Sequence, residues 1–405
     1  MNKVLTGAAV ALATTLLIAA CGPSSPTGSA AAGQGRSSGP PQASTGPTAG
    51  LHAGHAGPFT APPPQPLRES ERFVDLKPPR SYTPAAPSGG TDEYRCFLLD
   101  PGLTRSAFLT GNQFLPQNTA IVHHAIIFQI GPDSVQAAHD LDARTPGEGW
   151  TCFGDAGVEG GAWVGHWAPG ADETLFSQKI GYAMPAGSRV IMQVHYNLLA
   201  TGGKPGQSDR SGMRLRLADG KDGFTPLQTG QLVAPIELPC ATGESGPLCD
   251  REAAVSDLSH RFGRQAEETL GMLAEYCSDG VPPAPGPTQR CDRPTPAAGT
   301  IYGVAGHMHL LGRSIKIELN PGKPGGRTLL DIPVYDFDEQ AIRPLPKPVA
   351  VAAGDTFRVT CTHDAGLRTM LPALRGLPPR YVVWGEGTSD EMCLGLLMWS
   401  PAGRS

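Results

Sequence analysis

Apolar residues recur at every second position in several short stretches of this chain, the period of a strand with one buried face. Such stretches run over 120–130, 188–198, 213–217, 301–310, 314–319 and 356–361, most of them bounded by Gly or Pro. Within 188–197, alternation puts Val190, Met192, Val194 and Tyr196 on one face, with Ile191, Gln193, His195 and Asn197 on the other. One stretch has a helical period instead. Asp250 fits an N-cap, and Val255, Leu258, Phe262, Leu270 and Leu273 fall on one face of a single helix. That helix carries no evident chemistry and reads as a structural insertion. The pattern predicts an all-β, loop-rich protein with a helical insertion in its second half.

The N-terminus departs from this pattern. Lys3 precedes an apolar run over 4–20 that ends Ile18-Ala19-Ala20-Cys21, the layout of an export signal closed by a bacterial lipobox, so residues 1–21 read as a signal and Cys21 as lipidated. Residues 22–70 are rich in Gly, Ser, Ala, Thr and Pro and hold too few large apolar residues to offset ordering entropy, so a flexible tether is expected. His52 and His55 lie in that tether and read as incidental. No later stretch stays apolar for the ~20 residues a helical span needs. The expectation is an exported protein held by lipid alone on the periplasmic or cell-surface face of a bacterial membrane.

The remainder exceeds one typical core, and we divide it into domains over 71–230 and 231–405. The net charge of −5, without a basic stripe or an aromatic stacking series, argues against a nucleic-acid partner. Nine cysteines less Cys21 leave eight, an even count that allows up to four disulfides in an oxidising compartment. No pair has Cys-x-x-Cys spacing, which argues against zinc and thioredoxin-like readings. Spacing does not fix the connectivity.

Six residues carry the candidate chemistry: His123, His124, His195, His307, His309 and Met392. Imidazole suits copper in both oxidation states and a thioether favours the cuprous one. His307 and His309 sit at i and i+2, so a strand would present both imidazoles on one face. Gly306 and Gly312 beside them permit close backbone approach. Adjacent His123 and His124 reach one ion only at a strand end or bulge; otherwise one is buried and hydrogen-bonded and the other exposed. A lone methionine such as Met392 is more often core filler than ligand. His166 is placed to hydrogen-bond near a cleft but reads as packing in an aromatic-rich turn; His363, two residues after Cys361, could share the face of that cysteine but reads as exposed; His139 and His260 are without context.

The segments Asp92-Glu-Tyr-Arg-Cys96, Val122-His-His-Ala125, Gln193-Val-His-Tyr196, Gly306-His-Met-His309-Leu-Leu-Gly312 and Ser389-Asp-Glu-Met-Cys393 occur in this order. On these, the chain resembles the copper type II, ascorbate-dependent monooxygenases over about residues 90–400. The resemblance implies two antiparallel β-sandwich domains of jelly-roll type in tandem, with two coppers per chain. His123, His124 and His195 would bind an electron-storing copper. His307, His309 and Met392 would bind the copper where dioxygen is activated, and so would be the catalytic set. Ascorbate or a similar donor would reduce both, and a small-molecule C–H bond would be hydroxylated.

The departures from the family narrow the substrate. Its peptide-hydroxylating members grip a substrate carboxylate with an arginine two residues before the first histidine of the dioxygen site. They also use an asparagine and a tyrosine two and four residues after the methionine. Here Ala305, Leu394 and Leu396 stand at those positions. A carboxylate would be buried unpaired, so a small apolar substrate is expected. The resemblance also implies a Cys361–Cys393 disulfide. It makes Cys96 a half-cystine whose usual partner is missing from 209–212, which leaves Cys152 for it. Cys240, Cys249, Cys277 and Cys291 pair among themselves in an arrangement left open. A copper-storing lipoprotein without turnover is the competing reading, but a store would more naturally repeat one site.

Overall fold

Backbone ladders gather the alternating stretches into two pairs of facing sheets. The computed structural model describes residues 61–177, 179–220, 223–281 and 283–403. Cys21, His52 and His55 lie outside the described residues, as does the tether before residue 61. In the first half, one sheet runs Glu71–Leu76, Gly212–Asp219, Ala107–Leu115, Ile180–Met184, Thr225–Pro226, with Thr174–Leu175 beside Ala107–Leu115. The other runs Trp150–Thr151, Asp92–Leu99, Arg189–Asn197, Val122–Ile130, Ala162–Trp167. Leu109, Met213 and Leu215 of the first meet Ile127, Met192 and Val194 of the second in one buried core. The predicted alternation in Arg189–Asn197 holds: Val190, Met192, Val194 and Tyr196 enter that core. Ile191 packs in a separate cluster, and Gln193 and His195 are buried too.

Sheet membership changes between Pro226 and Gln228. Gln228–Val233, Leu394–Pro401, Gly299–His307 and Arg343–Val351 form one further sheet. Thr288–Pro294, Thr356–His363, Gly312–Leu319 and Arg327–Ile332 form its partner. Ile301, Val304 and Leu396 meet Ile315, Ile317 and Val359 between them. The chain is thus all-β, built of sandwiches with few short helices.

The helical insertion is two helices. Asp250 caps α1 (Arg251–Phe262) by accepting the Ala253 N–H at 2.9 Å. Gly263, at φ +85°, then breaks the backbone before α2 (Arg264–Ser278). Glycine enters that left-handed region without a Cβ clash, so the continuous apolar face of the sequence spans two helices. Cys96–Cys152, Cys240–Cys249, Cys277–Cys291 and Cys361–Cys393 are disulfides. The last ties Thr356–His363 to the residue after Met392. Among the described residues, no helix is long and apolar enough to cross a membrane.

Candidate metal centre

His123 and His124 begin the strand Val122–Ile130, and its pairing with Arg189–Asn197 shifts register between Val122 and His124. This irregularity supplies the bulge that two adjacent histidines need to turn toward one point. His195 pairs with His124 across the ladder. The three Nδ1 atoms close a triangle: 3.0 Å from His123 to His195, 3.2 Å from His123 to His124, and 3.3 Å from His124 to His195. This is the spacing of nitrogens that share one ion, and the three form a buried metal-competent cluster. His195 donates its other nitrogen, Nε2, to Asp92 Oδ1 at 2.9 Å. That bond fixes the tautomer and leaves Nδ1 with its lone pair. Tyr94, paired with His195 in the ladder, stacks on its ring with centroids 4.1 Å apart.

The mixed set is built differently. Strand Gly299–His307 stops at His307, so His307 and His309 do not share a strand face as alternation predicted. The buried Glu391 carboxylate accepts the N–H of His309 at 2.9 Å and that of Leu311, and the Tyr335 hydroxyl contacts Met308 N and O. These side chains satisfy backbone groups that a continuing strand would pair, and the chain turns. The rings of His307 and His309 end 5.1 Å apart. His307 Nδ1 donates to Gln340 Oε1, and His309 Nδ1 donates to the Asp390 carbonyl at 3.1 Å. Both rings therefore keep Nε2 as the free donor atom. His309 Nε2 is buried and has no hydrogen-bond partner among the described residues, the condition of a nitrogen held for a metal. Gly306 and Gly312 allow the tight approach: a Cβ would meet Ile315 Cγ2 at 2.8 Å and Met308 Cβ at 2.9 Å, respectively.

Burial holds the His124, His195 and His307 imidazoles below their ordinary pKa, His307 at about 3, with neighbouring histidines adding repulsion. These rings are neutral at pH 7, the form that binds a metal. Burial alone would raise Asp92, but bonds from His195, Thr388 and Thr91 hold it at about 2. The donor chemistry of the three imidazole nitrogens at the first set fits copper; at the second, two imidazoles adjoin and the Met392 thioether would be the further donor.

The two sets adjoin. The rings of His124 and His307 lie 5.5 Å apart, and both line a cavity of about 280 Å³ that also takes in Met392. Ile126, Phe153, Trp163, Leu273, Leu394 and Leu396 make its walls largely apolar, while Asp155 and Glu386 place carboxylates in them.

Several residues escaped the sequence reading. His166 is no mere packing group: it lines the cavity and donates Nε2 to the Gln340 carbonyl at 3.2 Å. His363 is buried, not exposed, with Nε2 3.3 Å from Glu391 Oε2. The insertion also takes part, since Thr269, Met272 and Leu273 of α2 line the cavity. Arg261 of α1 grips Asp390 with two bonds, at 2.7 and 2.8 Å. For Glu391 the signal was an acidic residue directly before the predicted ligand Met392, and for Asp92 its place at the head of the segment Asp92–Cys96; for Gln340 nothing in the pattern pointed there.

Glu386 gives a pH prediction. Burial, reinforced by Asp390 and Asp155, pushes its carboxyl from 4.5 up to about 8. The folded chain keeps that proton where the unfolded chain has lost it, so this group lowers stability as pH rises from about 4.5 to about 8. Glu386→Gln removes the titration. In thermal melts the variant should gain on the parent between about pH 5 and about pH 8; an unchanged gap would sink the assignment.

Residues 287–404 match the family described as copper type II ascorbate-dependent monooxygenase, C-terminal domain. The chain is 23% identical over 372 residues to dopamine beta-hydroxylase of Bos taurus, a match covering 87% of this chain and 51% of that protein. It is 23% identical over 322 residues to dopamine beta-hydroxylase of Homo sapiens, covering 76% and 43%. The chain spans about half the length of the curated relatives it matches. Residues 287–404 thus carry the domain so described, and over most of its length the chain is similar to dopamine beta-hydroxylases.

Proposed function

We propose that the chain is a two-copper monooxygenase that hydroxylates a C–H bond of a small, largely apolar organic substrate. One atom of dioxygen enters the C–H bond and the other leaves as water, with two electrons and two protons drawn from ascorbate or a similar one-electron donor. Copper, when bound, supplies the one-electron chemistry and the activation of dioxygen. His123, His124 and His195 would hold one ion through their Nδ1 atoms. His307, His309 and Met392 would hold the other through two Nε2 atoms and the thioether.

The observation that carries this reading is that His124 of one donor set and His307 and Met392 of the other line one largely apolar cavity, with the rings of His124 and His307 5.5 Å apart. Ile126, Phe153 and Trp163 from the first half, with Leu273, Leu394 and Leu396 from the second, exclude water and bind an apolar body. Ala305 offers no cation to a substrate carboxylate, and the Asp155 carboxylate in the same cavity opposes an anion. The four disulfides support an oxidising compartment, in keeping with export and a lipid anchor at Cys21.

Copper reconstitution of the purified chain, followed by ascorbate-driven oxygen uptake across a panel of C–H substrates, tests the reading. We expect two coppers per chain and uptake coupled to hydroxylated product, with apolar substrates preferred over carboxylates. Copper bound without coupled product on any member of the panel would make storage the better account.

A further inference from the structure

One buried carboxylate, that of Asp92, bonds to both halves of the chain. Asp92 is 2% exposed. Its Oδ1 accepts His195 Nε2 at 2.9 Å, the Thr388 N–H at 3.1 Å and the Thr388 hydroxyl, while the Thr91 hydroxyl donates to Oδ2 at 2.9 Å. His195 belongs to the three-histidine set. Thr388 belongs to the loop 386–392 that ends in Met392 and passes the Asp390 carbonyl to His309 Nδ1. One oxygen thus meets a ligand of one set and the backbone that leads to the other.

The loop has little freedom to absorb a shift at that oxygen. Its far side is pinned by Arg261 on the Asp390 carboxylate, and the Gly387 N–H donates to Asp390 Oδ2 at 3.0 Å. Its near side is pinned by the Tyr94 hydroxyl, which donates to the Glu386 carbonyl at 2.7 Å from the residue stacked on His195. The bonds of Asp92 and this braced segment form one continuous path from the His195 ring through Thr388 to Asp390 and Met392.

We propose that Asp92 is a positioning residue that couples the two donor sets, so that metal loading at His123, His124 and His195 changes the affinity of His307, His309 and Met392 for cuprous copper. This rests on the reading that both sets hold copper. The coupling must be reciprocal, because it is a free energy shared by two binding equilibria.

Anaerobic titration of the full chain with cuprous copper against a chelator measures it. His307→Ala isolates the three-histidine set and His123→Ala the mixed set. In the parent, the two-site affinity should differ from the product of the isolated affinities by about five-fold or more, the lower end of measured couplings. Thr388→Val keeps the backbone bond to Asp92, removes the hydroxyl, and should reduce that difference toward unity. Thr388→Ser keeps the hydroxyl and should restore it. A purely structural role for Thr388 would lower the urea midpoint of the valine variant and leave the coupling untouched, which overturns the proposal. Two coppers that bind independently in the parent also overturn it, with the two-copper reading intact. A parent that binds fewer than two coppers removes that reading and the coupling with it.

Discussion

Replacing His307 with alanine is expected to silence ascorbate-driven hydroxylation while leaving one copper on the chain. The His307 ring closes the strand Gly299–His307, holds its Nδ1 proton on Gln340 and presents Nε2 beside His309. Alanine leaves that set one imidazole and one thioether, too few donors to hold an ion in competition with a chelator. The three-histidine triangle is assembled on another pair of strands, and its Nδ1 atoms do not depend on His307. Activity should fall by more than the 10–100-fold typical of losing an outer hydrogen-bonding partner of a ligand. Copper analysis should read one ion per chain in place of two. Met392→Ala should resemble it under reducing conditions, since the thioether is the donor that favours cuprous copper. His260 lies on the exposed surface of α1, so His260→Ala is the control and should keep both coppers and full rate. A His307→Ala protein that kept two coppers and the parent rate would mean that the mixed set is not a copper site.

The sequence made some of this legible, and the reasons for the gaps are physical. Alternation correctly separated the core-facing Val190, Met192 and Val194 from His195, because a strand's period is a local property. It could not supply the register shift at His123, which depends on how Val122–Ile130 meets a partner strand about seventy residues away. For His307 and His309, alternation predicted a shared strand face that the structure does not form. The N–H groups of His309 and Leu311 go to Glu391, about eighty residues on, and no local pattern announces a side chain that ends a strand. The insertion was misread in a similar way. Its apolar face was visible, but its contribution to the cavity and its hold on Asp390 arise only when α1 and α2 pack against the Met392 loop.

Glu391→Ala should be among the most destabilising single changes in the second half. Glu391 is fully buried, and its two oxygens accept the His309 and Leu311 N–H groups while His363 Nε2 lies 3.3 Å from Oε2. Alanine leaves two buried backbone donors without an acceptor, each costing about 1–3 kcal/mol, so a loss of about 3 kcal/mol is expected in urea unfolding. Glu391→Gln separates the bonding from the bulk. Its amide keeps one accepting oxygen but turns an N–H₂ group toward the other backbone donor, so its loss should fall between parent and alanine. The turn that sets His309 would relax in both variants. Cuprous affinity at the mixed set should then drop by about 10–100-fold, as when an outer partner of a metal ligand is lost. The three-histidine set should keep the affinity it shows when the mixed set is empty. If Glu391→Ala unfolded at the parent's urea midpoint and kept both affinities, the carboxylate would not be what turns the chain at His307, and another support for that turn would have to be found.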